Sequence, residues 1–348
     1  MAINLNYQFA NIKNLLRLLY VKLFKKDIEV DLKKLNLILN KKKFSNHHPI
    51  FNQFKLMNKD DKIKKKGQVK DFICSVGLKK YVPIYFQNTS SKIPDPDNEY
   101  FEWISILESV NSAKINNKFI FYECGAGYGR WGVRAFKACE LAGIKNSLIH
   151  FVESEPYHID YLKNHLKINE VPKKNYQIHT TAMSDSNENG FFYIGAPKEF
   201  GSTAPNYWHG QSLIKDYEKS IKLTKEKYHN KKVYQFSSGW KAIKIKKADS
   251  NLFFNEEEID LVDFDIQGEE YKIIENSINK LNEKVKKLHI STHSIAIEIK
   301  LRKYLKNNGW IKIYDFPTHK SSFTPFGKID FVDGVQVWIN SRYKQRLI

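Results

Sequence analysis

Cysteine is scarce in this 348-residue chain: Cys74, Cys124 and Cys139 form no C-x-x-C pair and no even-numbered framework. A disulfide scaffold and a cysteine zinc site are therefore not expected, and a reducing cytoplasm fits. Long apolar runs are lacking as well. No stretch of about 18 uncharged apolar residues is present to span a bilayer, and Met1 to Phe9 carries no basic segment of the kind that opens a secretory signal. Acidic residues are few beside basic ones, 38 against 57, a formal charge of +19. Residues 1–80 hold nineteen Lys/Arg against six Asp/Glu, so most of the excess sits in the first quarter of the chain. Lysine outnumbers arginine throughout, which base composition alone can produce, and the charge by itself is no sign of a nucleic-acid partner.

What is present is globular: 42% hydrophobic and 14% aromatic residues exclude disorder throughout. The length suits one α/β domain of some 250 residues plus an extension. The expected division is a basic, mainly helical extension over 1–95 and a catalytic domain over 96–348. Pro83, Pro94 and Pro96 mark the boundary. Within the extension, residues 11–26 read as an apolar, basic helix able to lie on an anionic membrane surface or to pack on the domain with its lysines in water.

The centre of the sequence is Glu123-Cys-Gly-Ala-Gly-Tyr-Gly-Arg-Trp131. The aromatic run at 119–122 reads as a buried strand, and Arg130 to Leu141 as a helix closed by Gly143. Gly125, Gly127 and Gly129 lie between them, where positive φ and close backbone approach to a ligand are needed and where a helix start offers N–H groups. The spacing is G-x-G-x-G after an acid; the place of the third glycine in G-x-G-x-x-G is taken by Arg130. S-adenosylmethionine is favoured over NAD. A second strand, 148–152, ends in Glu153-Ser-Glu155-Pro156, and an acid there is placed to bind ribose hydroxyls, either Glu153 or Glu155.

Four blocks in order resemble the FkbM-type S-adenosylmethionine-dependent methyltransferases: residues 123–129, the Glu155-Pro156 turn with Leu162, Leu166 and Asn169 after it, Thr181-Ala-Met-Ser-Asp185, and Asp263-Phe-Asp265-Ile-Gln267-Gly268-Glu-Glu270. The resemblance covers about residues 96–340. Gln267 stands where a Glu is usual, and His289-Ile-Ser-Thr-His293 replaces a strand that more often carries Glu before its His. It implies a class I methyltransferase α/β fold: a Rossmann-like, mostly parallel sheet whose last strand is antiparallel. It further implies Glu123, the three glycines, Glu153 or Glu155, and the backbone of Ala182 around the cofactor, and an acceptor that is a sugar, a glycan precursor or another small hydroxylated metabolite.

Residues 195–240 interrupt the βα rhythm and read as a substrate cap, with Tyr207, Trp208, His209 and Gln211 as acceptor contacts and a basic helix between Ser212 and Tyr234. The strand expected at 259–266 carries Asp263 and Asp265 on one face, a costly pattern in a central parallel strand unless they serve a site. The next strand ends at Thr292-His293, with Ser294 capping a helix through Asn307. His293 is expected as general base, Asp265 as the acid that orients it and Gln267 as an acceptor contact, while the same pair could instead hold a hard divalent cation, which is not favoured. Two strands, 310–316 and 329–339, are expected to close the sheet. Two other functions were weighed: a nucleic-acid methyltransferase, which lacks here the Pro-Pro-Tyr/Phe signature of amino-group methylation, and a non-catalytic nucleotide-binding module.

Overall fold

The computed structural model describes residues 47–54, 67–82, 93–195, 212–213 and 221–343. The predicted helix at 11–26, most of the basic extension and the four cap residues Tyr207, Trp208, His209 and Gln211 lie outside these. Among the described residues no helix is long and apolar enough to cross a membrane.

Helix α1 (Ile50–Phe54), the ribbon β1 (Gln68–Lys70) and β2 (Ser75–Leu78), and helix α2 (Tyr100–Ala113) precede the main sheet. Then come β3 (Lys118–Cys124), α3 (Arg130–Ala142), β4 (Asn146–Val152), α4 (Pro156–Ile168) and β5 (Tyr176–His179). A second sheet follows, from β6 (Ala182–Ser184), β7 (Asn189–Gly195), β8 (Ile221–Tyr228), β9 (Lys231–Phe236) and β10 (Lys241–Asp249). The chain returns through β11 (Leu261–Phe264), α5 (Glu270–Lys284), β12 (Lys287–Thr292), α6 (Ile295–Asn307) and β13 (Trp310–Phe316), and ends with the ribbon β14 (Lys320–Thr324) and β15 (Gly327–Phe331) and with β16 (Gly334–Asn340).

The main sheet runs β13-β16-β12-β11-β3-β4-β5. Only β16 is antiparallel to its neighbours. The order reverses between β3 and β11, and an open α/β sheet binds ligands at the carboxyl ends beside such a switch. β3 is apolar on both faces because both are covered: Phe119 and Phe121 enter a core shared with α2, α3 and α4, whereas Ile120, Tyr122 and Cys124 enter one shared with α5 and α6. Gly143 ends α3 in the left-handed conformation, φ 75°, as its position after the last periodic residue predicts.

Three expectations are corrected here. The boundary at residue 95 does not mark where packing ends: Phe51, Phe54, Val69 and Phe72 belong to the same core as α2 and α3, and buried Asp71 pairs with Arg134 of α3 at 2.5 Å. The basic helix expected between Ser212 and Tyr234 is, over its described residues, a β-hairpin. His229 and Asn230 both take positive φ, 47° and 64°, the geometry of the two-residue turn that suits strand twist, and without a glycine at the turn the hairpin goes unannounced in the sequence. The strand expected at 329–339 divides at Val332-Asp333, the first part pairing with Lys320–Thr324 in the separate ribbon and the second joining the sheet.

Candidate active site

β3 delivers Glu123 beneath the glycine turn. Its carboxylate accepts from the N–H groups of Trp131 at 3.0 Å and Gly132 at 2.7 Å, at the start of α3. The helix N-terminus expected to face a ligand is thus partly occupied by the protein's own anion. Gly125 and Ala126 donate to the Val152 carbonyl, and Gly127 donates to Glu153 Oε2 at 2.7 Å. The turn is closed on the end of β4, and little of the N–H array that holds a pyrophosphate is left.

Gly125 has φ 85°, and a Cβ there would sit 1.9 Å from the carbonyl oxygen of Asp265. Only hydrogen in place of a side chain lets the glycine turn touch the end of β11, so these two sequence blocks form one surface. Gly129 and Gly132 serve packing instead: side chains there would strike Leu162 and Phe151, respectively. The ligand contact expected for Gly129 becomes a packing role, because its open face points into the core.

Glu153 Oε1 also accepts from Ser154 and Glu155, both at 2.7 Å. Glu155 is fully buried as the N-cap of α4, accepting from His158 N–H at 2.6 Å, and Pro156 opens that helix as expected. Of the two acids, Glu153 touches the glycine turn. Burial pushes Glu123 up to about 8 and Glu153 up to about 7, against their backbone hydrogen bonds, and the Asp265 charge adds to the rise in both. Three carboxylates therefore share one field at the ends of β3, β4 and β11, an arrangement that a cationic ligand relieves.

Ala182 stands opposite Lys247 in the parallel β6–β10 pairing, so its strand belongs to the second sheet. Asp263, expected beside Asp265 on one face, is buried and aligned with Glu123 and His289 in the rows on either side; burial holds its carboxyl well above the usual range. His289 meets Ser105 at 2.9 Å and Glu102 at 3.6 Å. Glu102 accordingly turns inward, whereas Glu99 pairs with Arg130.

His293 follows β12, and Ser294 caps α6 by accepting from Ile297 N–H at 3.2 Å. The ring lies between carboxylates: Nδ1 is 2.8 Å from Glu270 Oε1, and Nε2 is 3.2 Å from Asp265 Oδ1 and 3.7 Å from Asp333 Oδ1. The Gln267 side-chain amide lies 2.8 Å from Nε2, and with φ 52° this residue is bent into the left-handed region, at roughly 1–2 kcal/mol. Burial lowers the His293 pKa, but the bonds to Asp265 and Glu270 outweigh it and push it up to about 11. A ring so held is an imidazolium at neutral pH and has no lone pair for a hydroxyl proton. The expected roles shift accordingly: Glu270, not Asp265, holds the far nitrogen. Glu270 stood in a quoted block as one more acid after Gly268, whereas Asp333, 40 residues from His293, gave no local signal. Among the described residues no group of three or more His, Cys, Asp or Glu side chains is arranged to hold a metal ion.

A glycine turn after the first strand, an acid after the second, and a seven-stranded sheet whose last strand inserts antiparallel beside the fifth decide the architecture. This is the class I methyltransferase fold. No family model matches the chain. It is similar to a Jannaschia sp. (strain CCS1) protein named "Putative methyltransferase", 27% identical over 228 residues, which are 64% of this chain and 74% of that protein. Among solved structures it is similar to methyltransferase FkbM from Methylobacillus flagellatus KT, with 11% identity and a TM-score of 0.38, over 64% of this chain and 44% of that one, less than half of its length. It is also similar to M. jannaschii TYW2 in complex with AdoMet, with 14% identity and a TM-score of 0.34, over 80% and 88% of the two chains. The fold assignment rests on this methyltransferase's own strand order. The methyltransferase resemblance read from the sequence is borne out, and all four blocks that carried it lie on or just after strands of the two sheets.

Proposed function

We propose that the protein is an S-adenosylmethionine-dependent O-methyltransferase acting on a hydroxyl of a sugar, a glycan precursor or a similar small metabolite. The observation that carries the reading is the carboxylate field of Glu123, Glu153 and Asp265 around a helix start that Glu123 partly fills. Such a surface disfavours a pyrophosphate and favours a cationic sulfonium. Glu153, beside Gly127, is the acid placed to receive ribose hydroxyls. The cofactor brings an already activated methyl group when bound; the chain's part is to align the acceptor oxygen and take up its proton. With His293 held as a cation, Asp265, whose side chain is 46% exposed, is the group with free lone pairs at this mouth, and we assign it the proton. His293 fixes that carboxylate, Glu270 fixes His293, and Gln267 is an acceptor contact.

Calorimetry with S-adenosylmethionine, S-adenosylhomocysteine and NAD tests the reading. The first two should bind and NAD should not. S-adenosylmethionine affinity should rise between pH 6 and 8.5 as Glu123 and Glu153 ionise through about 8 and about 7, and Gly127→Val should abolish it. Tighter binding of NAD, or an unchanged affinity in Gly127→Val, would overturn the assignment.

A further inference from the structure

A cavity of about 490 Å³ opens away from the glycine turn, between the second sheet and the start of α5. Its wall holds Phe191 and Phe236, with ring centroids 5.7 Å apart and planes near perpendicular, beside Lys244, Lys247 and Lys272. Lys244 Nζ lies 5.5 Å from the Phe191 ring. Lys272 is held by Asp185 at 3.0 Å, and among the described residues Lys244 and Lys247 form no ion pair. The stem of Lys247 packs where Gly190 has no side chain: a Cβ there would meet its Cδ at 3.0 Å. Glu269 is the one acid on the wall, so the lining is cationic with an aromatic floor. The volume falls within the range of small-molecule sites.

The cavity shares the first turn of α5 with the catalytic cluster. Glu269 and Lys272 line the cavity, while Glu270, between them in sequence, holds His293. We propose that this cavity binds the phosphorylated part of the acceptor, a sugar phosphate whose C–H face lies on Phe191 and Phe236 and whose phosphate is met by Lys244 and Lys247. This deepens the methyl-transfer reading and rests on it for the identity of the ligand as acceptor. Aromatic faces suit sugar C–H groups, and lysine ammoniums suit phosphate as point charges. A neutral sugar alone would leave two desolvated ammoniums without a counterion.

The test is calorimetry on the full chain with glucose 1-phosphate, glucose and inorganic phosphate as probes. Glucose 1-phosphate should bind best, and the Lys244→Ala/Lys247→Ala variant should bind it about tenfold or more weakly, consistent with losing charge-assisted contacts. Because the lysine heads reach solvent, thermal unfolding and S-adenosylmethionine affinity of the variant should match the wild type. Equal affinity for glucose and glucose 1-phosphate, or no loss in the variant, would overturn the proposal; inorganic phosphate binding as tightly as the sugar phosphate would remove the sugar from it. Failure of S-adenosylmethionine to bind would count against the methyl-transfer reading alone, since these probes report binding without turnover.

Discussion

Arg134→Ala is expected to lower stability by about 3–5 kcal/mol, the usual consequence of leaving half of a buried ion pair. That is a large part of the roughly 5–15 kcal/mol that holds a native domain. The guanidinium is sandwiched between Trp103 and Trp131, 4.3 Å and 4.4 Å from their ring centroids, and its Nε donates to Asp71 at 2.5 Å. Without it Asp71 stays in the core with only the N–H groups of Ile73 and Cys74, at 3.1 Å and 3.0 Å. The pH dependence follows from the carboxyl. Burial tends to raise the Asp71 pKa, but Arg134 and those backbone donors hold it below the usual carboxylate range. In the wild type this group therefore stabilises above an unfolded pKa of about 3.9, and the contribution is lost as pH falls through the folded value. In Arg134→Ala burial acts without the arginine and the neutral acid is preferred, so the stability gap between the two proteins should narrow from pH 7 to pH 4.5. A denaturant series at both pH values checks this, and a gap that is small or grows with acidity would refute it. Removing residues 1–82 should be at least as damaging, because it strips Phe51, Phe54, Val69 and Phe72 from the core along with Asp71.

Asp265→Asn is expected to slow methyl transfer by about 10²–10⁴-fold, the usual range for loss of a general base. S-adenosylmethionine affinity should fall much less, since Glu123 and Glu153 remain. The wild-type pH–rate profile should lack a limb near 6.5: His293, pushed up to about 11, does not change charge there. A limb at 6.5 that disappears in His293→Gln would return the base to the imidazole. Stability gives an independent reading. The folded pKa of His293 lies above its unfolded value of about 6.5, so its contribution is complete below pH 6.5 and is lost as pH rises toward 11. The stability gap between wild type and His293→Gln should thus be widest in mild acid and close in alkali. Part of that gap comes from Glu270, fully buried, which in the variant keeps the Gly268 N–H donor at 2.9 Å and loses the ring.

The sequence by itself determined what local chemistry can encode. The run at 119–122 is apolar on both faces and had to be a central strand. Gly143, Pro156 and Ser294 punctuate helices through their own φ restrictions or side-chain oxygens, and each stands at the helix end where it was read. The order of strand-end motifs was enough to recognise a methyltransferase. Tertiary structure decided whatever depends on pairs distant along the chain. Asp71 meets Arg134 across 63 residues, so the packing of residues 67–82 into the core left no periodic trace. The protonation of His293 is set by Asp265 and Glu270 together, and a pKa is a property of the surroundings, not of a residue type. Gly125 had a conformational reason legible in the sequence, but the contact that makes it irreplaceable is with the carbonyl of Asp265, 140 residues later. The segment at 221–236 became a hairpin because β10 offered it an edge, and short lysine-rich segments take the structure their neighbours stabilise, their own propensities differing by only a few tenths of a kcal/mol per residue.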